Sequence, residues 1–392
     1  MPHPRVPQPL PVPAGPAALD VLPALRTALD GGGPALLPVP ADQPDEARRT
    51  AEALGEQPVG ADGEPIALVI ATSGSTGTPK GVLLSATALR ASAEATHRGL
   101  AGPGRWLLAM PAHHVAGMQV LIRSLVAGVE PHAVDTTGGF RPERFADAAR
   151  AMPATGDPRY TSLVPTQLRR LLDAGGEGLA ALRDFDAVLV GGAAAAPALL
   201  ARAADEGVRV TTTYGMSETA GGCVYDGLPL DIARVRVEGG EGPIALSGPM
   251  LASGYLGRPG AAEFAGGWFR TGDLGRWRQD RLEVLGRVDD LIITGGVNVA
   301  PAPVERVLTE QTGVREVCVV GVPDPEWGQA VVAAVVPADP AAPPDSEALR
   351  GAVRERSGAA ATPKRIVFLP ELPLRGPGKP DRRGLAARLG VP

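Results

Sequence analysis

Short apolar runs alternate with stretches of helical period from residue 66 to residue 221, and this alternation narrows the fold more than any other feature of the chain. The runs at 66–71, 82–84, 106–110, 161–165, 187–190 and 208–213 are too short to be helices and are bounded by Gly, Pro or Ser, so they predict buried strands. Between them, residues 85–99 (with Ser85 as N-cap), 167–174 and 197–206 carry helix signals. Strands that alternate with helices predict an α/β sheet. After Gly221 the texture changes. Shorter extended pieces at 235–237, 242–247 and 281–285 predict a β-rich subdomain of the same large N-terminal domain. Beyond a compact charged segment, a helix near 301–311, strands near 314–321 and 330–337, another helix and a last strand predict a small α+β domain. The expected organisation is therefore a large domain over 1–286, a hinge at 287–290 and a small mobile C-terminal domain over 291–392.

The 392 residues exceed one ordinary domain, and a hydrophobic content of 44% supports a substantial core. The net charge of -5 is spread along the chain. No basic block suits nucleic acid, and no polybasic run suits a membrane surface. The most apolar stretches, 66–71 and 330–336, are far shorter than a membrane span, and the proline-rich start lacks the apolar segment of a signal peptide. Cys223 and Cys318 have no metal-clip or redox spacing, so a reducing cytoplasm is the expected compartment. Lysine is rare: of 38 basic residues only Lys80, Lys364 and Lys379 are not arginine. Lys80 and Lys379 both stand in Gly- and Pro-rich loops, where a compact ammonium is not interchangeable with a guanidinium.

The strongest local signal is Thr72-Ser73-Gly74-Ser75-Thr76-Gly77-Thr78-Pro79-Lys80-Gly81, directly after the first strand. Glycines let backbone N–H groups approach an anion, hydroxyls add donors, and the lysine adds charge. The spacing is not that of a Walker A loop. This loop resembles the signature of the adenylate-forming superfamily, which holds acyl-CoA synthetases, luciferases and peptide-synthetase adenylation domains. Four more segments match in the same order: Tyr214-Gly215-Met216-Ser217-Glu218-Thr219, Thr271-Gly272-Asp273, Arg287, and Pro373-Leu374-Arg375-Gly376-Pro377-Gly378-Lys379.

The resemblance implies an ATP-dependent enzyme that makes an acyl-adenylate and passes the acyl group to coenzyme A. By that resemblance Tyr214 and Gly215 meet adenine, with Gly191, Gly192 and Ala193 as its wall. Thr219 meets the α-phosphate, and Glu218 holds Mg²⁺, a hard cation that wants carboxylate oxygen. Asp273 and Arg287 take the ribose, Asp289 is the hinge, Gly295 and Gly296 flank coenzyme A, and Lys379 bridges the attacking carboxylate and the α-phosphate. His114 gates the acyl pocket. His113 and His114 make no zinc pattern, since no third ligand shows the spacing.

Within the superfamily, residues 114–124, 162–168 and 221–227 look most like the o-succinylbenzoate–CoA ligases of menaquinone biosynthesis. A substrate of that branch carries a second carboxylate, and Ser162, Thr166, Gln167, Arg169 and Arg170 gather donors in one segment, with Gln167 and Arg170 on one helix face. A ligase for another aromatic or medium-chain acid, or an adenylating enzyme serving a separate carrier protein, remains the alternative. A hydrolase is disfavoured because no Gly-x-Ser-x-Gly occurs. Two departures stand out: the segment before the phosphate loop is short for the family, and Val297 stands where many relatives carry glutamate. The short segment leaves open a contribution from a partner subunit, as in a homodimer.

Overall fold

The apolar runs become strands because each carries branched or aromatic side chains that alternate between two buried faces, which a pleated strand accommodates. The computed structural model describes residues 6–59, 64–73, 79–375 and 379–390. Along the chain lie β1 (Gln8–Val12), α1 (Leu22–Leu29), β2 (Leu36–Pro40), α2 (Pro44–Leu54), β3 (Ile66–Ser73), β4 (Pro79–Ser85) and α3 (Ala86–Gly99). There follow β5 (Arg105–Leu108), α4 (Val115–Ala127), β6 (His132–Ala133), α5 (Pro142–Arg150), β7 (Arg159–Leu163), α6 (Pro165–Ala174) and α7 (Gly176–Arg183). Next are β8 (Ala187–Val190), α8 (Pro197–Asp205), β9 (Val210–Met216), β10 (Gly221–Tyr225), β11 (Leu228–Pro229), β12 (Arg234–Val237), β13 (Glu241–Ser247) and β14 (Gly254–Tyr255).

The chain divides into two compact units, the first built from residues 1–194, 203–236 and 245–270. It holds a five-stranded sheet in the order β1-β2-β3-β4-β14 and a seven-stranded sheet in the order β11-β10-β9-β8-β7-β5-β6. In the second of these, β5, β7, β8 and β9 run parallel, so their C-terminal ends share one edge. One core joins both sheets and the helices α3 and α4: Leu68 and Val82, Trp106 and Tyr160, Leu89 and Met118. Burying each of these large side chains contributes about 1.5–3 kcal/mol. Ser85 caps α3 as expected, its hydroxyl accepting from the Ala88 N–H at 3.1 Å.

The elements before residue 59 were not foreseen, and proline is the reason. Both β1 and β2 carry prolines, which lack an N–H and mask a strand signature. Accordingly β2 pairs with β3 only at Leu36 opposite Leu68.

The second unit comprises residues 195–202, 237–244 and 271–392. It contains most of β15 (Phe269–Arg278), which pairs antiparallel with β16 (Arg281–Arg287). After these come β17 (Ile292–Thr294), β18 (Val297–Val299), α9 (Pro301–Thr309), β19 (Val314–Asp324), β20 (Gly328–Pro337) and α10 (Ser346–Ser357). Last are β21 (Arg365–Phe368), β22 (Leu374–Arg375), β23 (Lys379–Pro380) and α11 (Arg382–Leu389). Period-two alternation splits β19 and β20 between two cores. Val319, Val331 and Val335 face α9 and α10, while Val320, Val332 and Ala334 face Leu372 and Leu385. Residues 288–290 form a short turn between β16 and β17, within this unit. Among the described residues no helix is long and apolar enough to cross a membrane.

Candidate active site

In an open parallel sheet, the C-terminal strand ends leave a crevice in which ligands bind. Here that edge collects the residues after β5 (Pro111 to His114), after β7 (Val164 to Thr166), after β8 (Gly191 to Ala193) and at the end of β9 (Tyr214 to Met216). Two glycines are needed there for close approach. A Cβ on Gly191 would sit 2.2 Å from Thr213 Oγ1, and one on Gly215 would sit 2.2 Å from the Gly221 carbonyl oxygen. Tyr214 is half-buried on β9.

The phosphate-loop residues flank a hairpin. β3 and β4 pair antiparallel with Thr72 opposite Lys80, and Thr72 Oγ1 donates to the Lys80 carbonyl at 3.3 Å. Gly74, Ser75, Thr76, Gly77 and Thr78 lie outside the described residues, as does the Ser73 side chain. Lys80 Nζ lies over the ring of Tyr255, 5.4 Å from its centroid. The same ring donates its hydroxyl to Glu218 Oε1 at 2.8 Å. Burial and the neighbouring Glu218 carboxylate raise the Tyr255 phenol above its usual range, so it stays protonated as a donor.

Glu218 stands in a short turn, Ser217–Thr219, between β9 and β10. Thr219 is wholly buried. Its hydroxyl accepts from the Met216 N–H at 2.9 Å and donates to the Gly221 carbonyl at 2.7 Å, which closes the turn. Ala220 then adopts φ 50°, a left-handed conformation rare for a residue with Cβ. Its carbonyl accepts from Ser92 Oγ of α3 at 2.9 Å and from Gln119 Nε2 of α4 at 2.7 Å. Two helices therefore fix the turn from behind.

Gln119 belongs to a buried polar group with Arg123, Tyr225, Thr96 and His97. Arg123 Nη2 donates to Tyr225 Oη at 3.5 Å, and its guanidinium lies 4.9 Å from the Trp106 ring centroid. Burial lowers the Arg123 pKa, and the Tyr225 phenol works against that shift. Burial, with the Arg123 charge second, lowers His97 to about 4. The sequence did offer a signal here, since Gln119 and Arg123 are polar residues four apart on an otherwise apolar helix. Tyr255 offered none beyond a lone Gly-Tyr pair.

His114 precedes α4 as its N-cap residue, and its ring lies 4.2 Å from that of His113. Burial lowers His113 to about 4. Of the donors expected for a second carboxylate, Ser162 is buried, and its hydroxyl has no partner among the described residues. Thr166 is half-buried. Gln167 caps α6, accepting from the Val164 N–H at 3.0 Å and donating one amide hydrogen to the Ala109 carbonyl at 2.7 Å. Arg170 is exposed, whereas Arg169 is half-buried.

In the second unit, Asp273 and Arg287 face each other across β15 and β16, 3.9 Å apart at Oδ1 and Nη1. Thr271 Oγ1 accepts from the Asp273 N–H at 3.0 Å and holds its backbone. Asp289 is exposed, 3.6 Å from Arg287 Nη2. Gly295 and Gly296, at φ 56° and 77°, make the tight turn of the β17–β18 hairpin. Trp327 packs so close to Gly295 that a Cβ there would meet it at 2.8 Å. The backbone of Lys379 pairs with Arg375, and its side chain lies outside the described part.

Comparison with known proteins shows the family of the chain. The AMP-binding enzyme family matches residues 18–256, and the AMP-binding enzyme C-terminal domain matches residues 303–379. A probable 2-succinylbenzoate–CoA ligase of Mycobacterium tuberculosis is 45% identical over 381 residues, covering 96% of this chain and 97% of the relative. Among solved structures, the amide bond synthetase McbA of Marinactinospora thermotolerans superposes with TM-score 0.79 at 27% identity, covering 99% of this chain and 90% of that one. An o-succinylbenzoate CoA synthetase of Bacillus subtilis, in complex with its acyl-adenylate intermediate, gives 0.71 at 27% identity, over 93% of this chain and 80% of that one. That synthetase has also been solved with ATP and a magnesium ion.

Proposed function

We propose that this chain, which belongs to the AMP-binding enzyme family, is an acid–thiol ligase that converts 2-succinylbenzoate to its coenzyme A thioester through an acyl-adenylate, a step of menaquinone biosynthesis. In the first half-reaction a carboxylate oxygen attacks the α-phosphorus of ATP and pyrophosphate leaves. In the second the thiol of coenzyme A attacks the acyl carbonyl and AMP leaves. The observation that carries the adenylation chemistry is the contact chain Lys80–Tyr255–Glu218, which puts a cation and a carboxylate beside one strand-end crevice. The substrate assignment rests on the likeness to the mycobacterial relative along nearly the whole of both chains.

Roles then follow for individual residues. The hairpin around Thr72 and Lys80 takes the ATP phosphates, the Gly191–Ala193 turn and Tyr214 take adenine, and Asp273 with Arg287 takes the ribose hydroxyls. Glu218 fits a divalent cation, because a phosphate-bound Mg²⁺ takes only one or two protein carboxylates and Tyr255 engages only one oxygen of this one. Bound there, Mg²⁺ would neutralise the leaving pyrophosphate. Among the described residues no cluster of three His, Cys, Asp or Glu could hold a metal ion. His114 borders the acyl pocket, and Ser162, Thr166 and Arg170 are the candidates for the substrate's second carboxylate.

Lys379 compensates charge as the carboxylate meets the α-phosphate. Gly295 and Gly296 serve coenzyme A in the second step, and Asp289 absorbs the backbone change between the steps. Measuring the half-reactions separately tests this division. Lys379→Ala should cut pyrophosphate exchange by about 10²–10³-fold while thioester formation from preformed acyl-adenylate stays near wild type. Equal loss of both would show that the lysine has been given the wrong role. The substrate is tested by coenzyme A-dependent AMP release with 2-succinylbenzoate, benzoate and octanoate. The first should be used at least about tenfold better, the return on one extra charged contact of roughly 1.4 kcal/mol. A preference for octanoate would refute the assignment and leave a fatty-acid ligase.

A further inference from the structure

The two sheets of the first unit meet the ligand with different parts, and one short segment ties these parts together. The phosphate hairpin belongs to the five-stranded sheet, whereas Glu218 stands between two strands of the seven-stranded sheet. The segment from Ala252 to Leu256 is bonded to both. The Ala252 N–H donates to the Glu218 carbonyl at 2.8 Å. The Ser253 and Leu256 N–H groups donate to the carbonyls of Leu83 and Gly81 on β4, at 2.9 and 2.8 Å. Tyr255 itself pairs with Val82 through β14. Its backbone is therefore fixed to the strand that begins with Pro79 and Lys80, while its hydroxyl reaches Glu218 Oε1.

We propose that Tyr255 is a positioning residue that aims Glu218 at the divalent cation, holding Oε1 by a hydrogen bond so that Oε2 is the oxygen left for the metal. This deepens the adenylate-forming reading and rests on it. A glutamate side chain has three rotatable bonds, and an unrestrained one must be ordered when the cation arrives. Tyr255 does that ordering in advance. It also sets Glu218 relative to the lysine of the phosphate hairpin, because the same ring lies under Lys80 Nζ. Backbone bonds and the Thr219 hydroxyl fix the turn but not the carboxylate; among the described residues, the Tyr255 hydroxyl is the group that fixes its direction.

The ring and the hydroxyl can be separated experimentally. The ring packs edge-on against Phe264, with centroids 5.3 Å apart, and a phenylalanine would keep that contact. The test is Mn²⁺ binding to the full chain in the presence of α,β-methylene-ATP, followed by electron paramagnetic resonance, for wild type, Tyr255→Phe and Glu218→Gln. Tyr255→Phe should weaken Mn²⁺ binding about tenfold, the usual effect of losing a group that orients a metal ligand. Its melting temperature should change little, because the ring contact with Phe264 is kept. Glu218→Gln should bind far more weakly still. If Tyr255→Phe binds Mn²⁺ like wild type while Glu218→Gln does not, the positioning role is refuted and the ligand assignment stands. If Glu218→Gln also binds like wild type, the ligand assignment falls and takes the proposal with it. Should the phenylalanine variant fail to fold, 3-fluorotyrosine labelling decides. With the analogue already bound, the tyrosine resonance retained in each of the Tyr160→Phe, Tyr214→Phe and Tyr225→Phe variants should shift when Mg²⁺ is added, and no shift there would refute the proposal.

Discussion

The two units treat a buried guanidinium in opposite ways. In the second unit, Arg382 is largely buried and meets both oxygens of Glu305, at 2.5 and 2.9 Å, with Asp290 Oδ2 at 3.5 Å from Nε. Burial alone would lower its pKa, but the carboxylates outweigh that and hold it above its usual range. In the first unit, Arg123 is 3% exposed and touches no carboxylate; its neighbours are an indole face and a phenol, and its Nε has no partner among the described residues. The second unit cancels its charges internally and spends them on cohesion. The first keeps a positive charge just behind the Glu218 turn, close to Gly221. In a low-dielectric interior such a charge is poorly screened and raises the potential felt by an anion.

If this contrast is right, removing a partner should hurt the second unit most. Glu305→Ala leaves Arg382 with the more distant Asp290 as its carboxylate, 3.5 Å away, and also removes the group that accepts the Val319 N–H at 2.7 Å. Breaking a fully buried pair costs about 3–5 kcal/mol; with the Arg382 side chain 27% exposed, solvent screening reduces this to roughly 2–3 kcal/mol. The loss should appear in denaturant unfolding followed by the exposed Trp277 and Trp327 of that unit. A change under about 0.5 kcal/mol, the scale of ordinary surface substitutions, would show that the pair does not hold the unit together.

That contrast could not be seen in the sequence, although the elements around it could. The strands at 66–71 and 187–190 and the helix begun by Ser85 were legible because apolar runs and an N-cap are local signals. The β3–β4 connection and the Tyr214–Thr219 segment stood out as candidates because Gly, hydroxyl and charge stand together in short order. What escaped were long-range relations. Gln167 has the chemistry of a ligand donor, yet its amide is used to cap α6 and to hold Ala109. Tyr255 lies 37 residues from Glu218 and reaches it only through sheet pairing. Arg123 and Arg382 look alike in sequence, and only the fold gives one of them an acid.

Acid should also separate the units, because the histidines whose pKa burial depresses lie in the first one. All five histidines precede Val134, so none belongs to the second unit. His97 and His113 are held neutral, each lowered from 6.5 to about 4, chiefly by burial. Because the folded value is depressed, the unfolded chain takes up these protons first. The stability involved is fully present above pH 6.5, declines as the pH falls, and stops declining near pH 4. Both histidines act in this direction. Hydrogen exchange resolved by peptide should therefore show α3 and α4 losing protection between pH 6.5 and 4.5 while β19 and β20 do not. Equal loss in both units would break the comparison. Its sharpest form uses Arg123→Met. The Arg123 charge is the second cause of the His97 shift and has no part in that of His113. The variant should move the His97 titration upward, read by proton NMR, and leave His113 where it is. Its effect on stability should stay within about 1 kcal/mol, because an apolar side chain of similar length replaces a buried cation that had no acid to lose. A much larger cost would mean that the phenol and indole contacts of Arg123 hold the first unit together as firmly as the Glu305 pair holds the second.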